Sequence, residues 1–231
     1  MKKILLFTAL LFTGSANAAT VGVWGGNFGN WNTFLTNTGN TAVNATGASS
    51  ATLSGLDQVW LIRQSGNSNL VDYVNNGGTL VTEWSGSAWA LNTASLIDAQ
   101  DTSLSFVGTN TPITFTQSGL DLGLGNNTGN PYSNSGATQF FRSFTNLGLD
   151  VDVIASIAGF NVGVSGAHGN GHVVALGWDW QDNGNSTITQ NLVADISSIN
   201  FQNNNVPEPA SIALLGLGLA GLGFSRKKKA A

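Results

Sequence analysis

Polar and aromatic side chains follow four predicted strands of this chain, at the points where those strands end. The four stretches are residues 24–27, 63–64, 83–85 and 178–180. Tryptophan faces beside amide and charged groups suit a sugar, because its C–H faces stack on indole rings while its hydroxyls form hydrogen bonds. The predicted ligand-binding residues are Trp24, Asn27, Arg63, Glu83, Trp84, Trp178, Asp179 and Trp180.

Two carboxylates in this set have the chemistry of glycoside hydrolysis. Glu83 and Asp179 are the candidate catalytic residues, since carboxyl groups about 5–5.5 Å or 6.5–9.5 Å apart can cleave a glycosidic bond. Arg63 ends a strand that we expect beside the Glu83 strand, so a structural ion pair is the favoured interpretation. The tryptophans also have an alternative role, because they can close the top of a small core while their N–H groups meet backbone partners.

Other residue combinations point to chemistry less strongly. Ser85 with His168 or His172 and Asp179 has the residue types of a catalytic triad, but position 83 is glutamate, so the G-x-S-x-G elbow is absent. Asp179, Asp182, Asn183 and Asn185 offer oxygen ligands for Ca²⁺, but without EF-hand spacing, and Asp-Asn-Gly is a common turn. The chain has no cysteine, which excludes a thiolate nucleophile. We expect no metal and no cofactor.

The first half of the chain alternates short β-type runs with helix-like stretches. Strands are predicted over residues 20–24, 41–45, 58–62 and 79–82. Helices are predicted around residues 31–35, 70–76 and 86–97, the second of them ending at Gly77-Gly78. Strands and helices at this spacing predict βαβ units and a parallel sheet.

The second half of the chain is less regular. Residues 104–107 and 113–115 are predicted as the strands of an inserted hairpin, followed by a Gly/Asn-rich loop over 119–136. Strands return at 151–155, 160–164 and 172–177, the last two as a hairpin, and a closing helix spans 188–199. The prediction is an α/β fold with a mostly parallel sheet and an inserted β/loop region, with a Greek-key sandwich as the alternative.

Two stretches of the core are similar to the glutamine-amidotransferase-like domains of the ThuA-like branch. These are "LVDYVNNGGTLVTEW", and much later "GNGHVVALGWDWQDN" followed by a final helix. The resemblance implies a flavodoxin-type, class I amidotransferase-like sheet. It also implies a nucleophilic cysteine after the strand at 79–82, where this chain has Glu83-Trp84-Ser85-Gly86. The resemblance therefore supports the fold and argues against amidotransferase activity.

Both ends of the chain have the composition of targeting segments. Residues 1–18 combine Lys2 and Lys3, an apolar run and an A-x-A site, as in a secretory signal peptide. The core domain is predicted over 19–201, with a linker at 202–206. Residues 210–224 form an apolar helix that would reach about 22 Å, against a bilayer core of ~30 Å, and a basic cluster follows it.

Residues 207–229 resemble the PEP-CTERM sorting signal, with Pro207-Glu208-Pro209, a Gly/Leu-rich transmembrane segment and basic residues in that order. The resemblance implies export through the Sec translocon, transient anchoring in the inner membrane, and processing by an exosortase near Pro207, Glu208 and Pro209. The product would be extracellular, released to or linked at the cell surface or its exopolysaccharide matrix.

The charge of the core limits its partners. Residues 19–206 contain only Arg63 and Arg142 as basic residues against eleven acidic ones, for a net charge near −9. Such a surface cannot supply the phosphate contacts of nucleic-acid binding, so DNA and RNA are excluded. The favoured hypothesis is a non-catalytic, glycan-binding surface or matrix protein; the alternatives are a secreted polysaccharide hydrolase and a structural partner of other surface proteins.

Overall fold

A computed structural model describes residues 18–106, 111–133, 140–180 and 186–201. Its strands are β1 (Thr20–Gly25), β2 (Thr41–Asn44), β3 (Gln58–Ile62), β4 (Thr79–Glu83), β5 (Gln100–Phe106), β6 (Thr114–Phe115), β7 (Phe140–Thr145), β8 (Val151–Ile157), β9 (Phe160–His168) and β10 (Gly171–Leu176). Its helices are α1 (Phe28–Asn37), α2 (Ser50–Leu53), α3 (Ser68–Asn75), α4 (Gly86–Ala88), which continues into a π-helical turn (Trp89–Thr93), α5 (Gln117–Asp121) and α6 (Thr187–Ser197).

Eight strands form one mixed sheet in the order β2-β1-β3-β4-β10-β9-β8-β6. The first five strands of this order are parallel, and β9, β8 and β6 continue the sheet with antiparallel pairing. Starting β2-β1-β3-β4, the order is that of doubly wound sheets, in which ligands bind at the carboxyl ends of the strands. The predicted α/β fold with a mostly parallel sheet is confirmed, and the Greek-key sandwich does not fit.

The sheet separates two apolar cores. Alternate residues of β3 point to opposite faces, so Trp60 and Ile62 join one core while Val59 and Leu61 join the other. Helices α1 and α6 cover the first face, and α2, α3 and the π-helical turn cover the second. All five residues of β3 are buried, as its near-continuous apolar sequence predicts for a strand covered on both faces.

Local capping explains where the short helix α3 begins and ends. The Asn67 side chain accepts a hydrogen bond from the Asn69 backbone N–H at the first turn. At the other end the chain passes through Asn76 into Gly77, whose φ of 107° is a conformation that glycine adopts without strain. Leu70, Tyr73 and Val74 face the core. The predicted stop at Gly77-Gly78 is confirmed.

The region between residues 100 and 145 differs from the prediction. The predicted hairpin of 104–107 with 113–115 is wrong, because β5 pairs with β7 in a separate two-stranded sheet while β6 pairs with β8 in the main sheet. A physical reason is the buried Asp101 at the start of β5, which accepts two hydrogen bonds from Arg142 Nε of β7 at 2.7 and 2.9 Å. The helix predicted over 86–97 ends at Thr93.

The Gly/Asn-rich loop after α5 is attached to α6 by one carboxylate. Asp195 of α6 is fully buried and accepts hydrogen bonds from the backbone N–H groups of Gly125, Asn127 and Thr128 at 2.8–3.2 Å. The side chains of Asn127 and Thr128 donate two more, both at 2.7 Å. Five donors therefore converge on one side chain, which fixes the loop against α6.

The two ends of the described core meet at Asn40. Its Oδ1 accepts a hydrogen bond from the Ala19 backbone N–H at 2.9 Å, and its Nδ2 donates to Ser197 Oγ at 2.9 Å. The segments predicted as signal peptide, linker and sorting helix lie outside the described residues, apart from Ala18. Among the residues that the structure does describe, no helix is both long and apolar enough to cross a membrane.

Candidate functional site

The four stretches singled out in the sequence lie at one end of the parallel sheet. Gly25, Ile62, Glu83 and Leu176 pair in a single row across β1, β3, β4 and β10. Each of these residues ends its strand or lies at the last paired position. The residues that follow them therefore emerge side by side at the carboxyl end, where open α/β sheets bind their ligands.

Arg63 connects the two candidate carboxylates. Its Nε lies 3.4 Å from Glu83 Oε2 and 3.5 Å from Oε1, while its Nη2 contacts Asp179 Oδ1. Glu83 is fully buried and Asp179 is only 6% exposed, whereas the arginine side chain is 34% exposed. The predicted contact between Arg63 and Glu83 is thus present, and Asp179 shares the same guanidinium. One positive charge faces two buried carboxyl groups.

The pKa of Glu83 is affected because one guanidinium lies beside two carboxyl groups. Burial and the neighbouring Asp179 carboxylate raise the pKa of Glu83 well above its ordinary value of 4.5, while Arg63 acts in the opposite direction. Glu83 Oε2 accepts no hydrogen bond from any described residue. Burial and Asp179 thus favour the neutral carboxylic acid form of Glu83, while the guanidinium of Arg63 contacts both carboxyl groups.

Two residues of the site have left-handed backbone conformations. Arg63 and Trp84, which directly follow β3 and β4, have φ values of 49° and 50°. Non-glycine residues with such φ values are uncommon and concentrate at functional sites. Two residues after Trp84, a Cβ on Gly86 would lie 2.4 Å from the Leu61 backbone oxygen, so only glycine lets α4 start this close to β3. The turn after β4 is a tight strand-to-helix elbow with tryptophan at its apex.

A polar network that sequence analysis missed supports this elbow. Ser87 Oγ lies 2.6 Å from both the Trp84 backbone oxygen and Asp101 Oδ2. Asp101 in turn holds Arg142 of β7, and β7 runs beside Gly177, where the Arg142 N–H donates to the Gly177 carbonyl at 2.8 Å. The added two-stranded sheet therefore braces both Trp84 and the segment that carries Asp179. The signal in the sequence that could have revealed this network is Arg142 itself, because it is one of only two basic residues in the core.

Most of the predicted tryptophans are buried. Trp178 and Trp180 are fully buried and Trp24 is 4% exposed. Trp180 packs edge-on against Trp31 and Trp60, with ring centroids 4.9 and 5.4 Å away. In this arrangement the three predicted tryptophans build the core below the site and offer no face to a ligand. Among the described residues, the Nε1 atoms of Trp178 and Trp180 have no hydrogen-bond partner, unlike the backbone pairing that we expected.

Trp84 differs from the other six tryptophans because it is the one that stays half-buried. The same carboxyl end of the sheet carries two exposed polar residues, Asn27 and Gln64, together with Arg63 and the half-buried Ser85. Asn27 precedes α1 and makes no side-chain hydrogen bond to the start of that helix. We call these five residues, Asn27, Arg63, Gln64, Trp84 and Ser85, the carboxyl-end rim.

The described residues do not form the two other sites considered from the sequence, the catalytic triad and the calcium site. Ser85 lies at the carboxyl end of the sheet. His168, which pairs with Gly171, and His172, which pairs with Ala167, lie at the amino end. A triad of Ser85, either histidine and Asp179 is therefore not formed. Within the described ranges no three histidine, aspartate or glutamate side chains are grouped to hold a metal ion, and the predicted calcium ligands 182, 183 and 185 lie outside those ranges.

Comparison with solved structures identifies the class of fold. A cytoplasmic protein from Salmonella typhimurium LT2 aligns with a TM-score of 0.59 over 78% of this chain and 99% of its own, at 11% identity. A protein described as ThuA-like from Bacteroides uniformis ATCC 8492 gives 0.55 over 84% and 95%, at 12% identity. A β-galactosidase from Bacillus circulans sp. alkalophilus gives 0.54 over 78% of this chain but 30% of its own, at 13% identity. The core is thus structurally similar to ThuA-like, class I amidotransferase-like proteins.

The C-terminal tail identifies the kind of protein more closely. Residues 205–227 match the PEP-CTERM protein-sorting motif. The chain therefore carries this motif on an amidotransferase-like core, and the motif implies an exported protein that an exosortase processes at the membrane. No curated protein has a sequence that matches this chain.

Proposed function

We propose that this protein is released to, or attached at, the cell surface after exosortase processing near Pro207-Glu208-Pro209, and that it binds exopolysaccharide there without cleaving it. Binding takes place at the carboxyl-end rim. The proposal takes its destination from the sorting motif. It takes its chemistry from the rim, because one indole ring lies at the same end of the sheet as amide, hydroxyl and guanidinium groups. The Sec translocon and the inner membrane are partners only during export.

The observation that carries the proposal is the elbow that presents Trp84. A left-handed tryptophan costs conformational energy, and the surroundings must hold it in place. Ser87 holds the Trp84 backbone oxygen and is itself held by Asp101. The indole remains half-buried at the end of the sheet. An aromatic ring fixed in this way offers a rigid stacking surface, and rigid surfaces bind with a smaller entropic cost.

The geometry disfavours hydrolysis of the bound glycan. A glycosidase needs two carboxyl groups that flank the bond from an open cleft. Here Glu83 is fully buried, Asp179 is nearly so, and both face the same guanidinium. Neither carboxyl group can reach a sugar oxygen without breaking its contact with Arg63. The turn after β4 reads Glu83-Trp84-Ser85 in a chain without cysteine, so it also lacks the cysteine nucleophile that the amidotransferase resemblance implies.

Replacing Trp84 by alanine is expected to weaken exopolysaccharide binding by roughly tenfold or more, because the stacking surface is lost. The measurement is titration calorimetry of the mature exported protein with the exopolysaccharide of its own host. Leu149→Ala is the matched control, because Leu149 is fully exposed at the opposite end of the sheet. Trp84 is also the tryptophan most open to acrylamide, so bound glycan should protect the wild-type fluorescence from quenching.

Three results would redirect the assignment. Equal loss of binding in Trp84→Ala and Leu149→Ala would show that the rim is not the contact site. Shortened polysaccharide chains after incubation, absent with Glu83→Gln, would support the hydrolase. No binding heat with any host polysaccharide would leave the structural partner of other surface proteins as the better description.

A further inference from the structure

A concave site lies at the amino end of the sheet, opposite the carboxyl-end rim. It is a cavity of about 460 Å³ between α2, the end of α3 and the start of β10, within the range of roughly 300–1,000 Å³ that small ligands occupy. Its principal lining residues are Ser50, Tyr73, Asn76, Asn170, His172 and Phe201. We call it the amino-end pocket.

The described lining of the amino-end pocket carries no formal charge at neutral pH. It contains hydroxyl, amide and backbone groups and one imidazole, and neither Asp, Glu, Lys nor Arg is among these residues. Partial burial lowers the pKa of His172 below its ordinary value of 6.5, which keeps that imidazole neutral. A phosphate, a carboxylate or a metal ion would find no countercharge here, so the pocket selects for an uncharged ligand.

Several polar groups of the pocket have spare hydrogen-bonding capacity. The side chains of Asn170 and His172 make no hydrogen bonds to other described residues, and Asn76 uses only its Nδ2, which donates to the Asp72 carbonyl at 2.8 Å. These groups supply donors and acceptors within one cavity. Hydroxyl groups are the ligand atoms that match them, because each hydroxyl both donates and accepts.

An aromatic pair forms one wall of the pocket. The rings of His172 and Phe201 stack at 4.0 Å between centroids with an angle of 11° between their planes. Tyr73 lies deeper, and its hydroxyl is already bonded to backbone groups of Leu56 and Thr79. Phe201 is only half-buried, so part of its ring is available to the C–H face of a ligand.

We propose that the amino-end pocket binds one neutral sugar unit, with the sugar ring against Phe201 and its hydroxyls bonded to Asn76, Asn170 and His172. The pocket stands on its own geometry and does not depend on the carboxyl-end rim. Combined with glycan binding at the rim, which is the function proposed above, it gives one molecule two contact sites at opposite ends of the sheet. Such a molecule can bridge two polysaccharide chains, and the second contact gains from the effective concentration set by the first.

The test uses the two histidines of the chain as local reporters. The full mature protein is titrated with the methyl glycosides of glucose, galactose and mannose, to about 20 mM so that millimolar affinities are detected, and with glucuronic acid as the charged control. Proton NMR of the imidazole signals and saturation transfer to the glycoside are recorded. We expect shifts of the His172 signals with at least one neutral glycoside, while His168, which is outside the pocket lining, stays unchanged.

The variants distinguish the two sites. Asn170→Ala and Phe201→Ala should abolish the His172 shifts, whereas Phe160→Ala, a half-exposed phenylalanine at the carboxyl end of the sheet, should retain them. Asn170 is an exposed turn residue, so its variant folds even if Phe201→Ala does not. The proposal is overturned if no neutral glycoside shifts His172, if glucuronic acid shifts it equally, or if the shifts survive Asn170→Ala. Trp84→Ala should leave the His172 shifts intact whether or not the rim binds glycan, which distinguishes this site from the rim.

Discussion

Glu83→Gln is expected to make the protein more stable than the wild type at alkaline pH and to flatten the dependence of its stability on pH. In the folded protein, burial and Asp179 raise the pKa of Glu83 well above its ordinary value. In the unfolded chain this glutamate titrates near the ordinary value of about 4.3. Glutamine has the shape of the neutral carboxylic acid and never has to lose a proton, so the variant avoids the cost of ionising a buried group.

The direction of the pH effect follows from proton binding. Between the two pKa values the folded protein holds a proton that the unfolded chain has lost, so the free energy of unfolding falls as the pH rises. Below the unfolded pKa both states are protonated, and the stabilisation from the neutral acid is fully present. It is lost progressively from just above the ordinary glutamate pKa up to the raised one. The advantage of the variant over the wild type should grow over that same window.

The measurement is urea denaturation of both proteins at pH values of about 5, 7 and 9. Glu83 is the sole glutamate of residues 19–206, so selective ¹³C labelling of glutamate can follow its carboxyl group directly. Asp72→Asn, at an exposed carboxylate on α3, is the control and should leave the pH profile unchanged. If Glu83→Gln were less stable than the wild type by the same amount at each pH, Glu83 would be an ionised partner of Arg63.

Asp195→Ala should destabilise the fold on the order of 3–4 kcal/mol, near the upper end for a single substitution. The substitution removes the acceptor of five hydrogen bonds, and three of their donors are backbone N–H groups in the loop at 125–128. Hydrogen bonds to charged groups contribute about 1.5–3 kcal/mol each, and donors left without a partner in a buried site add their desolvation cost. Because the five bonds share one carboxylate, their contributions do not add in full.

Chemical denaturation again measures the effect of Asp195→Ala, and amide hydrogen exchange locates it. The N–H groups of Gly125, Asn127 and Thr128 should lose protection before the sheet does. Asp72→Ala provides the matched control on another helix and should change stability by less than about 0.5 kcal/mol. Equal stabilities for the two variants would mean that the loop finds other acceptors and that α6 does not depend on it.

The parallel half of the fold could be predicted from the sequence because its signals are local. The apolar run of β3 and the asparagine–glycine end of α3 each specify their element within a few residues. The β5–β7 pairing could not be predicted in this way. The sequence of β5 has the composition of a polar loop, because it includes Asp101, Thr102 and Ser103. The strand is explained by the contact of Asp101 with Arg142, which lies 41 residues further along the chain.

The candidate site could likewise be predicted from the sequence only in part. Its convergence at one end of the sheet could be predicted, because parallel strands end together, and the contact between Arg63 and Glu83 followed from the adjacency of β3 and β4. The burial of Trp180 could not be predicted, since it depends on α1 placing Trp31 against it. Left-handed φ values at Arg63 and Trp84 leave no signature in residue type.

The meeting of the two ends of the described core at Asn40 bears on where attached segments would leave the domain. The expected signal peptide precedes Ala19 and the sorting tail follows Phe201, and both residues lie at the amino end of the sheet. The Asn40 side chain joins the start of β1 to the end of α6, so both attachments leave the domain close to one another. A reporter attached next to Ala19 or Phe201 would therefore start from the end of the sheet that lies opposite the carboxyl-end rim.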